Sequence, residues 1–362
     1  MPRPLLASPP RRVAVVSYRL GGTDGVSIEA AKWVRAFRLL GAEAFTVAGE
    51  GVADVVLPGL AAGAGPREDD RGQAALASEL GEVLAHADLV VAENICSLPL
   101  NPSAGGAVAL ALQGRPAILH HHDLPWQRAS FRDAPPPPDD PAWRHVTINE
   151  RSRLELAARG IEALTVYNRF DPRPAPGRRE ATRRLLGFGD SEVVLLQPTR
   201  AIPRKNVPGG VLFAAGLGAT LWLLGPAEDG YGPALDRVLE RAPAAVVLGR
   251  PDGLAIEDAY AACDAVVLPS TWEGFGNPTI ESALHRRPLA VAAYPVSFEL
   301  RRYGFSWFDL ADPAPLRRFI EHPDEDLLDR NEHVARVRFS TDDLPSVLSA
   351  LVTGEEPMLT AR

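Results

Sequence analysis

The sequence predicts an α/β protein with two domains, each built on a parallel β-sheet. The chain has 362 residues, and domains usually contain about 100–200 residues, so two domains are expected. Short apolar segments alternate with helical patterns from end to end, which is typical of β-α-β units. A proline-rich segment near the middle interrupts this alternation and divides the chain into two halves.

In the first half, seven apolar segments are predicted strands: residues 13–18, 44–48, 54–57, 89–92, 117–121, 146–148 and 164–167. Between the first two lies a predicted helix, residues 27–40. Its apolar side chains recur at helical spacing from Ile28 to Phe37, and Gly41 follows as a stop signal.

Residues 167–177 contain Pro172, Pro174 and Pro176, which are incompatible with a regular element, so this segment is the predicted interdomain linker. The predicted domains are residues 1–170 and residues 171–340. In the second half the predicted strands are residues 193–197, 221–224, 245–248, 265–269, 289–293 and 307–310. Helices are predicted between them, for example at residues 256–263 and 296–303.

Two segments of the first half are predicted to be mobile loops. Residues 61–72 are rich in glycine, alanine and charge, and residues 128–141 include four consecutive prolines. Both follow strands, where ligand-binding loops of open α/β sheets lie. A plain surface connection fits them equally well.

Composition excludes some classes of protein. The formal net charge of −8 argues against a nucleic-acid partner, because a phosphate backbone requires a basic surface. The sequence has no apolar run long enough to span a membrane and no signal-peptide core, while peripheral membrane contact stays open. Its two cysteines lack C-x-x-C spacing, as expected for reduced thiols in a cytoplasmic protein.

A glycine-containing turn follows the first predicted strand and precedes a helix. It includes Gly21, Gly22 and Gly25, and such a turn allows the backbone at a helix N-terminus to approach a phosphate. The G-x-G-x-x-G spacing of dinucleotide-binding proteins is absent. Both a structural turn and a substrate-facing loop remain open.

A basic loop follows the first strand of the second half. It contains Arg200, Arg204 and Lys205. Guanidinium and ammonium groups suit a diphosphate, and the position just beyond the linker favours a ligand cleft over a solvated charged loop.

The most informative segment is residues 269–284, Pro-Ser-Thr-Trp-Glu-Gly-Phe-Gly-Asn-Pro-Thr-Ile-Glu-Ser-Ala-Leu. Glycines permit a tight loop with exposed N–H groups. Asn277 is a predicted N-cap, followed by proline at the first helical position. Glu273 on the loop and Glu281 on the helix can then face one ligand, and carboxylates are good acceptors for vicinal sugar hydroxyls.

At these residues the sequence resembles family 4 of the retaining glycosyltransferases. The resemblance covers almost the whole chain and is most specific in the Glu-Gly-Phe-Gly-x-Pro…Glu string; the glycine turn, the His122-Asp123 step and the Arg200…Lys205 pair support it. It implies the GT-B fold, in which two Rossmann-like domains face each other across a cleft. The first would bind the acceptor and the second the nucleotide sugar. Residues 332–340 resemble the family's closing helices, and a helix at about residues 341–355 would return to the first domain.

The resemblance also implies roles for individual residues. Arg200 and Lys205 would hold the donor diphosphate, and Glu281 would bind the ribose hydroxyls. Glu273 would orient the donor sugar, together with the backbone of Gly274, Phe275, Gly276 and Asn277. Gly22 or Gly25 would lie near the phosphate. The residues expected to take part in catalysis are His122, Glu273, Arg200 and Lys205.

His122 matches the histidine that family members place beside the donor sugar and acceptor. It ends a triplet, His120-His121-His122, whose alternation in a strand puts the first and third on one face. Two histidines and an aspartate can bind a metal, but we expect no metal and no other cofactor, since this fold generally neutralises phosphate with side chains and helix dipoles. The residues expected to bind the acceptor are Glu93, Asn94, His122, Asp123 and Trp126.

The predicted function is a metal-independent retaining transfer from a nucleoside diphosphate sugar to a small soluble acceptor, with glycans and lipids left open. The alternatives are another GT-B enzyme, such as an epimerase or phosphorylase, and a non-catalytic sugar-nucleotide-binding protein. Two departures from the family pattern affect donor-sugar selection. Residues 293–296 are Ala-Tyr-Pro-Val where the family often has Gly-Gly, and Asn277 replaces a residue that is often apolar.

Overall fold

A computed structural model describes residues 3–63, 70–228 and 230–355, with the side chains of all but residues 70 and 71. The chain divides into two compact units. Unit 1 comprises residues 1–169 and 341–362, and unit 2 comprises residues 170–340.

Among the described residues, unit 1 contains a seven-stranded sheet in the order β3-β2-β1-β4-β5-β6-β7. All its strand pairs are parallel. The strands are β1 Arg12–Leu20, β2 Glu43–Gly51, β3 Val55–Val56, β4 Leu89–Glu93, β5 Ala117–His121, β6 Trp143–Thr147 and β7 Ala163–Thr165. The central strands are buried, as expected for a sheet covered by helices on both faces.

The helices of the first 169 residues are α1 Gly25–Leu39, α2 Asp70–Val83, α3 Pro102–Leu112 and α4 Glu150–Ala157. One face of the sheet packs in a cluster with Trp33 and Phe37 of α1. The opposite face packs with Leu76 of α2 and Val108 of α3. The two apolar layers hold the carboxyl ends of β1, β4 and β5 in a fixed order.

Unit 2 contains a six-stranded parallel sheet in the order β10-β9-β8-β11-β12-β13 among its described residues. The strands are β8 Val194–Gln197, β9 Thr220–Leu223, β10 Val246–Leu248, β11 Ala265–Leu268, β12 Leu289–Val291 and β13 Phe308–Asp309. The helices are α5 Arg179–Leu186, α6 Val207–Leu217, α7 Gly232–Glu240, α8 Ile256–Ala262, α9 Pro278–Leu284, α10 Pro295–Arg301, α11 Ala314–Glu321 and α12 Glu325–Arg338.

The last described helix, α13 Leu344–Thr353, belongs to unit 1. Its buried residues Leu344, Leu348 and Val352 share a cluster with Trp33 and Phe37 of α1. Burial of this apolar face fixes the C-terminal helix on unit 1.

The two predicted loops have different outcomes. Of residues 61–72, residues 64–69 lie outside the described part, and α2 already begins at Asp70. Residues 128–141 contain one short 3₁₀ turn, Ala129–Phe131. Both cysteines are free and buried, and none of the described helices is long and apolar enough to cross a membrane.

Candidate active site

Two loops of unit 2 start from neighbouring strands in the middle of the sheet. β8 pairs with β11, with Leu195 opposite Ala265. The chain continues from β8 towards β9 on one side, whereas β12 lies on the other side of β11. The two loops therefore leave the sheet where its strand order reverses, which is the usual ligand position in open α/β sheets.

The loop after β8 is held against the loop after β11 by backbone and amide contacts. A 3₁₀ turn covers Pro203–Lys205, and the amide of Gln197 donates to the carbonyl oxygen of Lys205 at 3.1 Å. Asn206 adopts a left-handed conformation with φ 48°, and its amide donates to the carbonyl oxygen of Pro269 at 3.2 Å. The basic loop consequently has a defined position next to Glu273.

Glu273 is the common partner of two cations. Lys205 Nζ donates to Glu273 Oε1 at 2.5 Å, and Arg204 Nη1 donates to Oε2 at 2.8 Å. Arg204 also donates to the carbonyl oxygen of Trp272 at 3.1 Å. Lys205, Arg204 and Glu273 together carry a net charge of one positive unit, which favours an anionic ligand.

The charge of Glu273 follows from its surroundings. The residue is only 5% exposed, and burial raises its pKa. The charges of Lys205 and Arg204, with the hydrogen bond from Lys205, lower the pKa by more, so the net pKa lies below the ordinary value. Glu273 is therefore a carboxylate at neutral pH, and its ion pairs compensate for its burial.

The sequence predicted that Arg200 and Lys205 together hold the donor diphosphate. In the structure Arg200 is paired with Glu228, on a different loop from Glu273. Arg200 Nη1 lies 2.5 Å from Glu228 Oε2. Gly225 packs so closely here that a Cβ on it would lie 2.7 Å from Arg200 Cα. Arg200 is thus anchored to the loop after β9, and the cation beside Lys205 in this structure is Arg204.

The glycine loop after Glu273 is shaped by one tyrosine. Gly276 has φ 93°, and a Cβ on it would lie 2.2 Å from Tyr294 Oη. Tyr294 is buried and donates to the carbonyl oxygen of Phe275 at 3.3 Å. Phe275 is buried as well, stacked 6.0 Å from Phe170. Tyr294 therefore fixes the shape of this loop through its contacts with Gly276 and Phe275. Position 294 lies in one of the segments where this chain departs from the family pattern.

Asn277 precedes α9 as predicted, but its side chain does not cap the helix. It has helical φ −44° and ψ −40° and makes no side-chain cap hydrogen bond. The N-cap prediction for this side chain is wrong, because an N-cap side chain reaches back to the helix from an extended conformation. Its predicted contact with the donor stays a prediction.

Glu281 lies in the first turn of α9 and is hydrogen-bonded to a residue that the sequence did not single out. Tyr260 Oη, on α8, donates to Glu281 Oε2 at 2.7 Å. The carboxylate is half-buried. The hydrogen bond from Tyr260 therefore fixes the orientation of the Glu281 carboxylate.

In unit 1, the predicted site residues Glu93 and His122 meet His120 at the carboxyl ends of β4 and β5. Glu93 lies opposite His120 in the strand pair. Glu93 Oε2 is 2.9 Å from His120 Nδ1 and 3.0 Å from His122 Nε2. All three side chains are buried, so Glu93 is placed to orient His122; its predicted contact with the acceptor stays a prediction.

The charges in this group depend on each other. Burial raises the pKa of Glu93. The charges and hydrogen bonds of His120 and His122 lower it by more than burial raises it, to about 2. Burial lowers the pKa of His122, but the hydrogen bond and charge of Glu93, with smaller effects of Glu29 and Asp123, raise it above the ordinary value. The pair is therefore an ionised carboxylate next to an imidazole that favours the charged form.

The same three residues are the candidate metal ligands of the described part of the chain. Their ligand atoms lie within 4.8 Å of one another. Two imidazoles and a carboxylate match the donor set of many zinc sites. The distances from Glu93 to the two histidines also match direct hydrogen bonds. Such hydrogen bonds satisfy the buried carboxylate without a metal ion.

His121 faces the opposite side of β5, as the alternation predicted. Its Nδ1 lies 2.6 Å from Ser97 Oγ and its Nε2 lies 2.9 Å from His145 Nδ1. His145 Nε2 in turn lies 3.1 Å from Asp139. The middle histidine of the triplet therefore belongs to a separate chain of hydrogen bonds, which is buried at His121 and His145 and ends at the exposed Asp139.

The other predicted acceptor residues have structural partners. Asn94 has φ 58°, and its Oδ1 accepts from the backbone of His122 at 3.0 Å. Asp123 accepts from Arg128 at 2.6 Å. Trp126 donates to Glu155 at 2.8 Å and packs with Leu124, Leu156 and Ile161. Asn94 shapes the strand end, and Trp126 stabilises a small apolar cluster; a contact of either with an acceptor stays a prediction.

The first glycine turn lies at the N-terminus of α1. Gly25 begins the helix, and a Cβ on it would enter open space, whereas a Cβ on Gly22 would lie 3.0 Å from Asp24 Oδ2. Asp24 caps the helix, accepting from Val26 N at 3.2 Å and Ser27 N at 3.1 Å. Because a carboxylate already satisfies these N–H groups, a phosphate that approached them would have to displace Asp24.

Sequence reasoning missed Tyr260 and Glu228 and left Arg204 outside the predicted clamp. Arg204 is adjacent to Lys205, and its charge was a usable signal. Tyr260 lies in an ordinary helical segment and meets Glu281 across 21 positions, so no local pattern pointed to it.

No family model matches the chain. It is 26% identical over 91% of its length, and 92% of the other protein, to the mannosylglucosylglycerate synthase of Thermotoga maritima. Among solved structures, Anabaena Alr3699/HepE in complex with UDP-glucose superimposes with a TM-score of 0.71 and 18% identity, covering 95% of this chain and 100% of that one. Sucrose-phosphate synthase from Thermosynechococcus elongatus gives a TM-score of 0.73 and 13% identity, covering 94% and 98%.

The chain is a GT-B glycosyltransferase. The predicted fold and class are thereby confirmed. The roles of individual residues in this glycosyltransferase stay predictions and are developed below.

Proposed function

We propose that this glycosyltransferase moves a sugar from a nucleoside diphosphate sugar to a small polar acceptor, with retention of configuration and without a metal ion. The observation that carries the proposal is the Lys205–Glu273–Arg204 group at the edge where β8 and β11 end. It combines an excess of positive charge with a carboxylate, next to a glycine loop and a helix N-terminus.

The substrate classes are supported by the similar proteins. One structural neighbour was solved in complex with UDP-glucose, which supports a nucleotide-sugar donor in a chain of the same fold. The curated relatives are named for making mannosylglucosylglycerate. That small polar product supports a small acceptor here.

In this proposal Lys205 and Arg200 bind the donor diphosphate, with Arg204 beside them. An ammonium group has three donors, so Lys205 can contact a phosphate oxygen while it keeps its bond to Glu273. Glu273 and the backbone of residues 274–277 orient the donor sugar, and Glu281 accepts from the ribose hydroxyls. His122, held by Glu93, positions the sugar or the acceptor.

Retention follows in this proposal from the use of the donor's own phosphate as the base. The C1–O bond to the diphosphate breaks, the acceptor oxygen bonds to C1 from the same face, and the acceptor proton passes to the departing phosphate oxygen. Lys205, Arg200 and the N–H groups of the glycine loop stabilise the charge that develops on the diphosphate. No separate protein base is needed to deprotonate the acceptor for attack from the opposite face.

The stereochemistry tests this mechanism directly. Proton NMR of the first-formed product should give an α-anomer from an α-linked donor. His122→Ala should slow transfer without trapping a glycosyl-enzyme in the mass spectrum. A β-linked product would contradict the mechanism.

Activity should persist in excess EDTA, because the proposed diphosphate partners are side-chain cations and backbone N–H groups. The measurement is nucleotide release with EDTA and then with added Mg²⁺ or Mn²⁺. Rates within about twofold are expected, since the cations already stabilise the leaving group. An absolute requirement for a divalent ion would contradict the proposal and favour metal binding by Glu93, His120 and His122.

A further inference from the structure

Tyr260 is a buried polar residue that the proposed reaction does not use. It has 0% exposure, and its Oη donates to Glu281 Oε2 at 2.7 Å. A buried hydroxyl without a partner destabilises a protein. The bond to Glu281 therefore connects the folding of α8 with the orientation of a carboxylate at the candidate donor site.

The position of Tyr260 is fixed from several directions. His285 stacks on its ring, with centroids 4.6 Å apart and the planes inclined by 7°. Arg287 Nε donates to the carbonyl oxygen of Tyr260 at 2.6 Å. The phenol is consequently a rigid group, with its hydroxyl directed at Glu281.

The direction of the hydrogen bond is also fixed. Burial, and then the charge of Glu281, raise the pKa of Tyr260 well above its ordinary value, so the phenol keeps its proton at all working pH values. An ionised carboxylate can only accept. Tyr260 is thus a permanent donor that holds one oxygen of Glu281.

A fixed carboxylate can recognise two neighbouring hydroxyls more selectively than a freely rotating one. Its two oxygens offer about four acceptor positions, and the bond to Tyr260 uses one of them. Preorganisation reduces the entropy lost when the ligand binds. Removing one hydroxyl from the ligand then leaves an acceptor unsatisfied.

We propose that Tyr260 is a positioning residue that fixes Glu281 for binding the two ribose hydroxyls, and that this pair makes the donor site prefer ribonucleotides to 2′-deoxyribonucleotides. The inference rests on the proposed function, which places the ribose at Glu281. Tyr260 itself touches no substrate.

The test compares Tyr260→Phe with the wild type by calorimetric titration of UDP and GDP, each beside its 2′-deoxy form. The substitution removes one oxygen and keeps the ring. Since a single hydrogen bond is worth roughly a factor of 3–10 in affinity, we expect the dissociation constant of the preferred ribonucleotide to rise by about that factor. The dissociation constant of its 2′-deoxy form should change less than about twofold, so the preference for ribose collapses.

His285→Leu is the matched control, because it removes the stacked ring and keeps the phenol. It should retain the ribose preference of the wild type. A preference lost equally in His285→Leu and Tyr260→Phe would overturn the inference, since packing and not the hydrogen bond would then set the selectivity.

Glu281→Ala separates this inference from the proposed function. Unchanged nucleotide affinity in Glu281→Ala would contradict the ribose site itself. Weaker binding in Glu281→Ala with an intact ribose preference in Tyr260→Phe would overturn only the role of Tyr260. If Tyr260→Phe does not fold, Glu281→Asp replaces it in the test, because the shorter side chain withdraws the carboxylate from the phenol. A ribose preference retained in Glu281→Asp would overturn the inference.

Discussion

Replacing Glu273 by alanine is expected to lower the free energy of unfolding by about 3–5 kcal/mol, the usual effect of removing one partner of a buried ion pair. The carboxylate is bonded to both Lys205 and Arg204. Without it, two neighbouring cations repel each other in a buried environment. Urea denaturation followed by far-UV circular dichroism measures the change.

Glu180→Ala provides the comparison for this experiment. Glu180 is 88% exposed and lies 3.9 Å from Arg184, so its removal should change the unfolding curve little. A loss no larger in Glu273→Ala than in Glu180→Ala would contradict the buried ion-pair group.

Lys205→Ala should reduce kcat by about 10²–10³ at saturating donor, which is the usual effect of removing one group that stabilises developing negative charge. Glu273 keeps Arg204 as a partner in this variant, so its charge stays compensated. Initial rates of nucleotide release, with thermal unfolding as a check of the fold, measure the effect.

Arg237→Ala removes an exposed cation from α7 of the same unit. Its kcat should match that of the wild type. If Lys205→Ala also retained kcat within about threefold, Lys205 would not stabilise the leaving group.

The sequence predicted the strands well, because buried parallel strands are continuous apolar runs between turn signals. Each predicted strand overlaps an observed one, although the boundaries differ: residues 307–310 were predicted where β13 covers Phe308–Asp309. The glycine and charge in residues 61–72 suggested a loop, yet α2 begins at Asp70. A helix can begin with residues of low helix propensity when packing of its apolar face against the rest of the protein stabilises it.

The pairing of charges at the site could not be predicted from the sequence. The basic loop and the two glutamates were recognised, but Arg204 meets Glu273 across 69 positions. Which cation reaches the carboxylate depends on how two loops cross. The partner of Arg200, Glu228, lies on the loop after a third strand.

The histidine triplet gives the same result in unit 1. Strand alternation correctly placed His120 and His122 on one face and His121 on the other. Their partners Glu93 and His145 come from the two neighbouring strands, so only the sheet order identifies them. Local chemistry was readable from the sequence, and long-range pairing was not.

The contact between Gly276 and Tyr294 has a consequence for protein engineering. The phenol fills the volume that any other side chain at position 276 would need, so the two positions form one steric unit although they lie on different loops. A change of sugar selectivity by loop grafting should therefore transplant residues 273–277 together with residues 293–296. An exchange of either segment alone would bring a mismatched pair into the site.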